Sequence, residues 1–232
     1  MDFRHEWKHE INASDMIAIR QRLRAIAKPD EHAIDGKYFI RSLYFDDLHD
    51  SCLDENESGV DQRRKFLIRH YDPAAQKLHL EIKEKYRGYT KKMACDITRE
   101  ECRRIMDGMP ELTMDTRKPL NLLKMEMRCA LMRPKAIISY ERTAFVHPLG
   151  NVRITFDRNI SASRCCGDFL EDRVAASVPV LPAGMHILEV KYDELLPDFI
   201  AQQLELGKLQ QTAFSKYYLG RLAIQGEFEI DG

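Results

Sequence analysis

KLHLEIKEK, residues 77–85, decides the fold. Read at the two-residue period of an extended chain, it sets Lys77, His79, Glu81, Lys83 and Lys85 on one face and Leu78, Leu80 and Ile82 on the other. The same division recurs outward along the chain. Lys65 and Arg69 oppose Phe66 and Ile68, with Leu67 standing among the basic positions; Arg153, Thr155 and Asp157 oppose Ile154 and Phe156; Glu189 and Lys191 oppose Leu188 and Val190. Tyr140 with Arg142, and Arg4 with Glu6 and Lys8, repeat the pattern. Any one such strand also fits an antiparallel sheet with a solvated face, where Lys and Glu belong. Several of them, interleaved with amphipathic helices that need an apolar surface to cover, favour helices outside and charged faces turned toward an enclosed space.

The rest of the chain supplies those elements. Residues 3–11 alternate as a strand, and Asn12 or Ser14 can cap a helix carrying Met16, Ile19, Leu23 and Ile26, which Pro29 stops. Residues 37–46 read as a strand, 64–72 and 77–86 as a hairpin around DPAAQ, and RGYTKKMACDI as a further strand. Thr98 and Glu101 form a capping box for a short helix closed by Gly108. A helix over 119–132, a hairpin of 135–147 and 151–158, a strand over 185–192 and helices near 197–206 and 215–224 complete the set. The stretches 47–63 and 159–183 read as loops. Together these predict one domain over 1–232, of α+β class: an antiparallel closed β-barrel tunnel of about eight strands with peripheral α-helices.

Composition narrows the function. With 36 Lys+Arg against 37 Asp+Glu the net charge is -1, so the total gives no reason to expect nucleic acid, and any basic site must be local. No apolar run approaches the roughly 20 residues that span a bilayer, and MDFRHEWKHE has no apolar core of an export signal, so the expectation is a soluble, cytoplasmic protein. The six cysteines show no CxxC or His-paired zinc spacing and read as reduced thiols, the vicinal Cys165-Cys166 pair included. His5, His9, His70 and His79 read as surface or packing residues, and no Ser/His/Asp or Cys/His arrangement suggests a nucleophile.

Basic residues crowded at lowered dielectric repel one another and call for a compensating anion. Arg binds phosphate through its bidentate fork and Lys as a compact charge. Interleaved carboxylates such as Glu6, Glu81 and Glu189 are hard oxygen donors suited to Mg²⁺ or Mn²⁺ bridging phosphates, although for each one alone an ion pair with a neighbouring Lys is the better explanation.

EWK, RSLYFDD, RRKFLIRHYD, LEIKEK, YERTAF, NVRITFDRN, ILEVKYDE and FSKYYLG, in this order over nearly the whole chain, resemble the VTC domain of polyphosphate polymerases, within the CYTH-like triphosphate tunnel superfamily. The resemblance implies a tunnel that binds ATP or another triphosphate with Mn²⁺ or Mg²⁺ and moves its γ-phosphoryl group onto polyphosphate. It places Lys8, Arg69, Lys83, Arg142, Arg153 and Lys216 at the catalytic phosphate clamp and Glu189, with Glu6 or Glu81, at the metal. Lys91 or Lys92 matches the lysine of the following strand, and Arg4, Lys65, Lys85 and Lys191 are further phosphate-binding candidates. Leu67 stands where the family's RxR pair has its first arginine, and Ala213 where larger members carry a lysine. A metal-dependent triphosphatase and a non-catalytic module for polyphosphate or inositol phosphates are the alternatives. Translocation of a polymer would require a membrane partner protein.

Overall fold

A computed structural model describes residues 5–30, 36–60, 62–72, 74, 77–86, 89–110, 113–205, 209, 211–212 and 214–226. In chain order the elements are β1 (His5–Asn12), α1 (Ala13–Leu23), β2 (Lys28–Pro29), β3 (Tyr38–Asp46), α2 (Ser51–Glu57), β4 (Arg63–His70), β5 (Lys77–Tyr86) and β6 (Tyr89–Thr98). There follow α3 (Arg99–Met106), α4 (Lys118–Cys129), β7 (Arg133–His147), β8 (Val152–Ser163), β9 (Val178–Pro179), β10 (Met185–Tyr192), α5 (Asp198–Leu204) and α6 (Lys216–Gln225).

Local chemistry sets most boundaries. Asn12 caps α1 by accepting from the Asp15 amide at 2.9 Å. Thr98 and Glu101 make the expected reciprocal capping box on α3, and Gly108, at φ 75°, ends the turn after it. Two expected loops hold more structure than anticipated. The first contains α2, whose N-cap Asp50 gives no side-chain cap; Asp46, at the end of β3, instead accepts from the Cys52 and Leu53 amides at 2.9 and 3.1 Å. In the second, β8 runs on to Ser163, followed by a 3₁₀ turn at Cys166–Leu170 and β9.

The strands form a mainly antiparallel sheet, but not the closed barrel expected. Among the described residues the hydrogen-bonded order is an open path, β1-β10-β8-β7-β3-β4-β5-β6, with β2 beside β7 and β9 beside β8. Its two end strands are protected by other means. The Thr212 amide donates to the Lys8 carbonyl at 2.9 Å and Gln211 bridges His9, covering the outer edge of β1. At the other end β6 exposes Lys91 and Lys92, charges that discourage edge-to-edge pairing.

The chain divides into two compact units. In the unit built from Met1–Phe39, Tyr140–Ile160 and Leu181–Phe214, α1 and α5 lay Met16, Ile19, Leu23, Ile200 and Leu204 against Ile154, Phe156, Leu188 and Val190. In the unit built from Ile40–Ser139, Ser161–Val180 and Ser215–Gly232, α3 and α4 cover Phe66, Ile68, Leu78, Leu80 and Ile82 with Cys102, Ile105, Leu120, Leu123 and Met127. Each buried Leu or Ile side chain contributes on the order of 2 kcal/mol. In both units the helices take the apolar face of the strands, which leaves the charged positions on the other.

Candidate functional site

In the first unit the register of β1, β10 and β8 fixes who meets whom. Lys8 lies opposite Glu189 and Glu6 opposite Lys191; Glu189 lies opposite Thr155 and Lys191 opposite Arg153. Every cation here has an internal partner. Lys8 Nζ is 2.8 Å from Glu6 and donates to the Phe214 carbonyl at 3.1 Å. Lys191 Nζ lies 2.6 Å from Glu189 and 3.6 Å from Glu6. Arg142 forks onto both oxygens of the fully buried Asp157 at 2.6 and 2.7 Å, with Glu189 at 3.7 Å. Arg153 donates to Asp30 and to the Tyr38 hydroxyl, each at 2.7 Å.

These pairings set the protonation states. Burial and the Glu189 carboxylate push Glu6 upward, yet Lys8 and Lys191 outweigh them and hold its carboxyl below the usual range. Burial opposes the charge on Lys191 and on Arg142, but Glu189 and Glu6 raise the first, and Asp157, Tyr140 and Glu189 raise the second well above its ordinary value. The face is nearly self-neutralised.

In the second unit Lys65 lies opposite Lys83, and Lys83 opposite Lys92, giving one row of three lysines across β4, β5 and β6. Like charges directly opposite in a sheet are destabilising. In the next row Leu67, fully buried, faces Glu81. Glu81 is 1% exposed, 2.7 Å from Lys92 and 3.5 Å from Arg69, and these cations, with Lys83, overcome burial to hold its carboxyl below the usual range. Arg69 donates through Nε to Ser42 at 3.0 Å. Lys65 reaches Asn56 at 2.6 Å and the hydroxyl of Ser215 at 2.9 Å; Ser215 itself caps α6, whose first residue is Lys216. A buried node anchors that helix. Tyr217 donates to Asp46 at 2.6 Å and accepts from Arg221 at 2.8 Å, while Asp50 pairs with Arg221 and Lys135, each at 2.9 Å. The Arg221 hydrogen bond is the main reason that Asp50 is lowered to about 2.

The candidates therefore sort by unit. Glu6, Lys8, Arg142, Arg153, Glu189 and Lys191 share the first face; Lys65, Arg69, Glu81, Lys83, Lys85 and Lys92 share the second. Of the two alternatives in β6, Lys92 shares the face of Lys83, whereas Lys91 lies opposite Glu84 on the reverse face. Glu81 belongs to the other unit from Glu6 and Glu189 and serves Arg69 and Lys92 as counter-ion. Arg4 and Ala213 lie outside the described residues. Asp157 is on the alternating charged face, yet only the structure shows it as the partner of Arg142; Asp30, Tyr38, Asn56 and Ser215 follow no sequence period at all.

Among the described residues no three acidic, His or Cys side chains converge as a ready cation site. Glu6 and Glu189 nonetheless share the ammonium of Lys191 between them, and such a carboxylate pair fits Mg²⁺ or Mn²⁺ when phosphate oxygens and water complete the shell. No helix among the described residues is long and apolar enough to cross a membrane.

Comparison with known proteins bears on the fold and the family. A solved structure from Bacillus halodurans, named as a candidate adenylate cyclase, superposes with a TM-score of 0.54 at 9% identity, covering 93% of this chain and 94% of that one, which is a likeness of fold. The PH1819 protein of Pyrococcus horikoshii gives a TM-score of 0.45 at 13% identity over 93% of this chain and 97% of its own. No curated protein sequence gives a significant match. The VTC domain model matches residues 3–224, nearly the full length, and the chain belongs to the VTC domain family.

Proposed function

We propose that this protein binds a nucleoside triphosphate and polyphosphate through its charged strand faces and transfers the γ-phosphoryl group to the polymer in a metal-dependent reaction. The observation that carries this reading is the Lys65–Lys83–Lys92 row. The three lysines are register neighbours on one face, where like charges directly opposite are destabilising, and a polyanion turns that repulsion into attraction.

Phosphoryl transfer asks mainly for positioning and for neutralisation of the equatorial oxygens. Lys83, Lys92 and Arg69 grip phosphate oxygens, and Lys65 does so while steadying the start of α6 and Lys216. In the first unit Lys8, Arg153 and Lys191 meet phosphate, while Asp157 holds Arg142 rigid and charged. Glu6 and Glu189 would hold Mg²⁺ or Mn²⁺, which supplies charge neutralisation at bridging oxygens.

One observation favours a second reading, a binding module without turnover: Leu67 fills the centre of the lysine-rich face with an apolar side chain that can make no phosphate contact. The readings separate by assay. Full-length protein with ATP and Mn²⁺ is expected to yield phosphate polymer on a gel, with the product lost in Lys83→Ala. Release of free phosphate from inorganic triphosphate instead would identify a triphosphatase, and tight binding of both ligands without turnover would identify the binding module.

A further inference from the structure

The helix-covered side of the first unit holds a cationic cluster apart from the charged strand face. On β10 His186 lies opposite Ile11 of β1, and one step beyond the Ile187–Asp157 pair it neighbours Arg158 of β8. Both residues belong to the alternation that carries Leu188 and Phe156, the side against which α1 packs. Arg20, next to the core residue Ile19, lies in the last turn of α1 with its Nε buried. Arg158 is near enough to both that its charge acts on each: burial first, then Arg158 and Arg24, hold the Arg20 guanidinium below its usual range, and burial first, then Arg158, lower His186.

Three nitrogen atoms of this cluster are buried without a hydrogen-bond partner: Nε of Arg20, Nε of Arg158 and Nδ1 of His186. His186 is 9% exposed. A buried polar atom left without a partner costs about 1–3 kcal/mol, and here three from three different elements coincide with repulsion between the Arg20 and Arg158 guanidinium groups. The charge compensation is thin. Arg158 donates through Nη2 to Glu141 at 2.9 Å, but Glu141 also accepts from Asn159 at 3.1 Å and Lys37 at 3.5 Å. The Arg158 side chain keeps 24% of its surface exposed, so an ion from solvent can reach the guanidinium head.

We propose that Arg20, Arg158 and His186 form a second anion site, on the helix-covered side of β8 and β10, that takes a phosphate-class oxyanion. Two guanidinium N–H donors, joined by the imidazole as a third donor when its Nδ1 is protonated, match the several acceptor oxygens of a tetrahedral anion better than the two of a carboxylate. The ion is either free inorganic phosphate or the end of a phosphate chain. Occupation satisfies the two guanidinium donors, favours a proton on the imidazole as the third, and offsets the repulsion, so the site ties α1 to the strands beneath it.

The test reads His186 locally. Imidazole nitrogen resonances of the full-length protein are followed through pH titrations in chloride buffer, then at matched ionic strength with inorganic phosphate or with tripolyphosphate. An anion beside the ring favours the protonated form, so each bound ligand is expected to raise the His186 midpoint by about one pH unit. A larger rise with tripolyphosphate than with phosphate assigns the site to chain ends, and equal rises assign it to the free ion. In Arg20→Gln and Arg158→Gln the ligand-induced rise is expected to fall below a third of the parent value. Arg20→Lys, which keeps the charge but loses the Nε donor, covers the case in which either Gln variant folds poorly and should also lose most of the rise. A His186 midpoint that neither ligand moves, or that moves equally in the variants, overturns the site. Ligand on the charged strand faces leaves this reporter still.

Discussion

Glu81→Gln separates the role of counter-ion from that of metal ligand. The carboxylate is 1% exposed and lies 3.5 Å from Arg69, itself 8% exposed, and 2.7 Å from Lys92, half of whose side chain is in solvent. At an effective dielectric of about 20 the Arg69 contact alone is worth roughly 5 kcal/mol of gross attraction, much of it cancelled by desolvation. Removing one partner of a buried pair typically costs 3–5 kcal/mol; because Lys92 is well solvated, we expect about 3 kcal/mol here, or a fall in Tm of roughly 6–12 °C. The sign with pH follows from the lowered Glu81 pKa. Its stabilisation is fully present above the ordinary glutamate range and is lost as pH falls through the folded value, so parent and variant converge in acid. Binding moves the other way. An incoming phosphate competes with Glu81 for Arg69 and Lys92, so the variant should bind tripolyphosphate about tenfold more tightly, or about 1.4 kcal/mol. Thermal unfolding and metal-free calorimetric titration measure the two effects. A variant that binds no more tightly than the parent without metal, or whose only defect appears when Mg²⁺ is added, refutes the counter-ion role.

Three further outcomes follow from the same contacts. Lys92→Ala should weaken tripolyphosphate binding by about tenfold while Lys91→Ala, on the reverse face, leaves it unchanged in the same titration. Tyr217→Phe removes one of two donors to an Asp46 oxygen that keeps the Leu53 amide, and one of two acceptors of an Arg221 nitrogen that keeps Asp50, and should cost about 1 kcal/mol in urea unfolding. His70, 1% exposed and hydrogen-bonded to the Phe169 carbonyl, is lowered to about 4, chiefly by burial, so it must stay neutral to remain folded. Its contribution is complete above its ordinary value of 6.5 and is lost as pH falls from there toward about 4, at most roughly 3 kcal/mol; in His70→Gln the urea midpoint should vary less across that window than in the parent.

The facing of each strand was legible because alternation is a local property: Leu78, Leu80 and Ile82 could only have gone toward the helices once Lys83 and Glu81 were assigned to the other side. Capping was legible at Asn12 and Thr98 for the same reason, since the acceptor sits beside the amide it serves. The helix α2 was not, because its cap comes from Asp46 at the end of the preceding strand, and the local Asp50 is engaged instead with Arg221, 171 residues away. Closure failed as an expectation because alternation says which way side chains point and nothing about whether the first and last strands meet. The row position of Lys92 rather than Lys91 depends on a β5–β6 register that composition leaves open. Ion-pair partners were the least legible. Arg153 with Asp30 and Lys65 with Ser215 join residues 123 and 150 positions apart.

Those partners also divide the labour between the two charged faces. On β1, β10 and β8 every basic side chain already has an acidic or carbonyl partner within its own unit, so an anion binding there must displace carboxylates, and Glu6 and Glu189 become available only as Lys191 turns to the ligand. Glu6 and Glu189 would then hold a divalent cation, which would offset their charge beside phosphate, so phosphate affinity on this face would depend on metal. On β4, β5 and β6 the balance is different. Lys65, Lys83, Lys85, Arg69 and Lys92 face Glu81 and Asp46, and Asp46 is taken by the amides of α2 and by Tyr217. A polyanion there meets a face with more basic than acidic side chains, releases counterions on binding and therefore weakens as salt rises. Under the proposed function, metal dependence and salt dependence of phosphate binding should thus separate genetically: Glu189→Gln should abolish the first and Lys83→Ala should flatten the second.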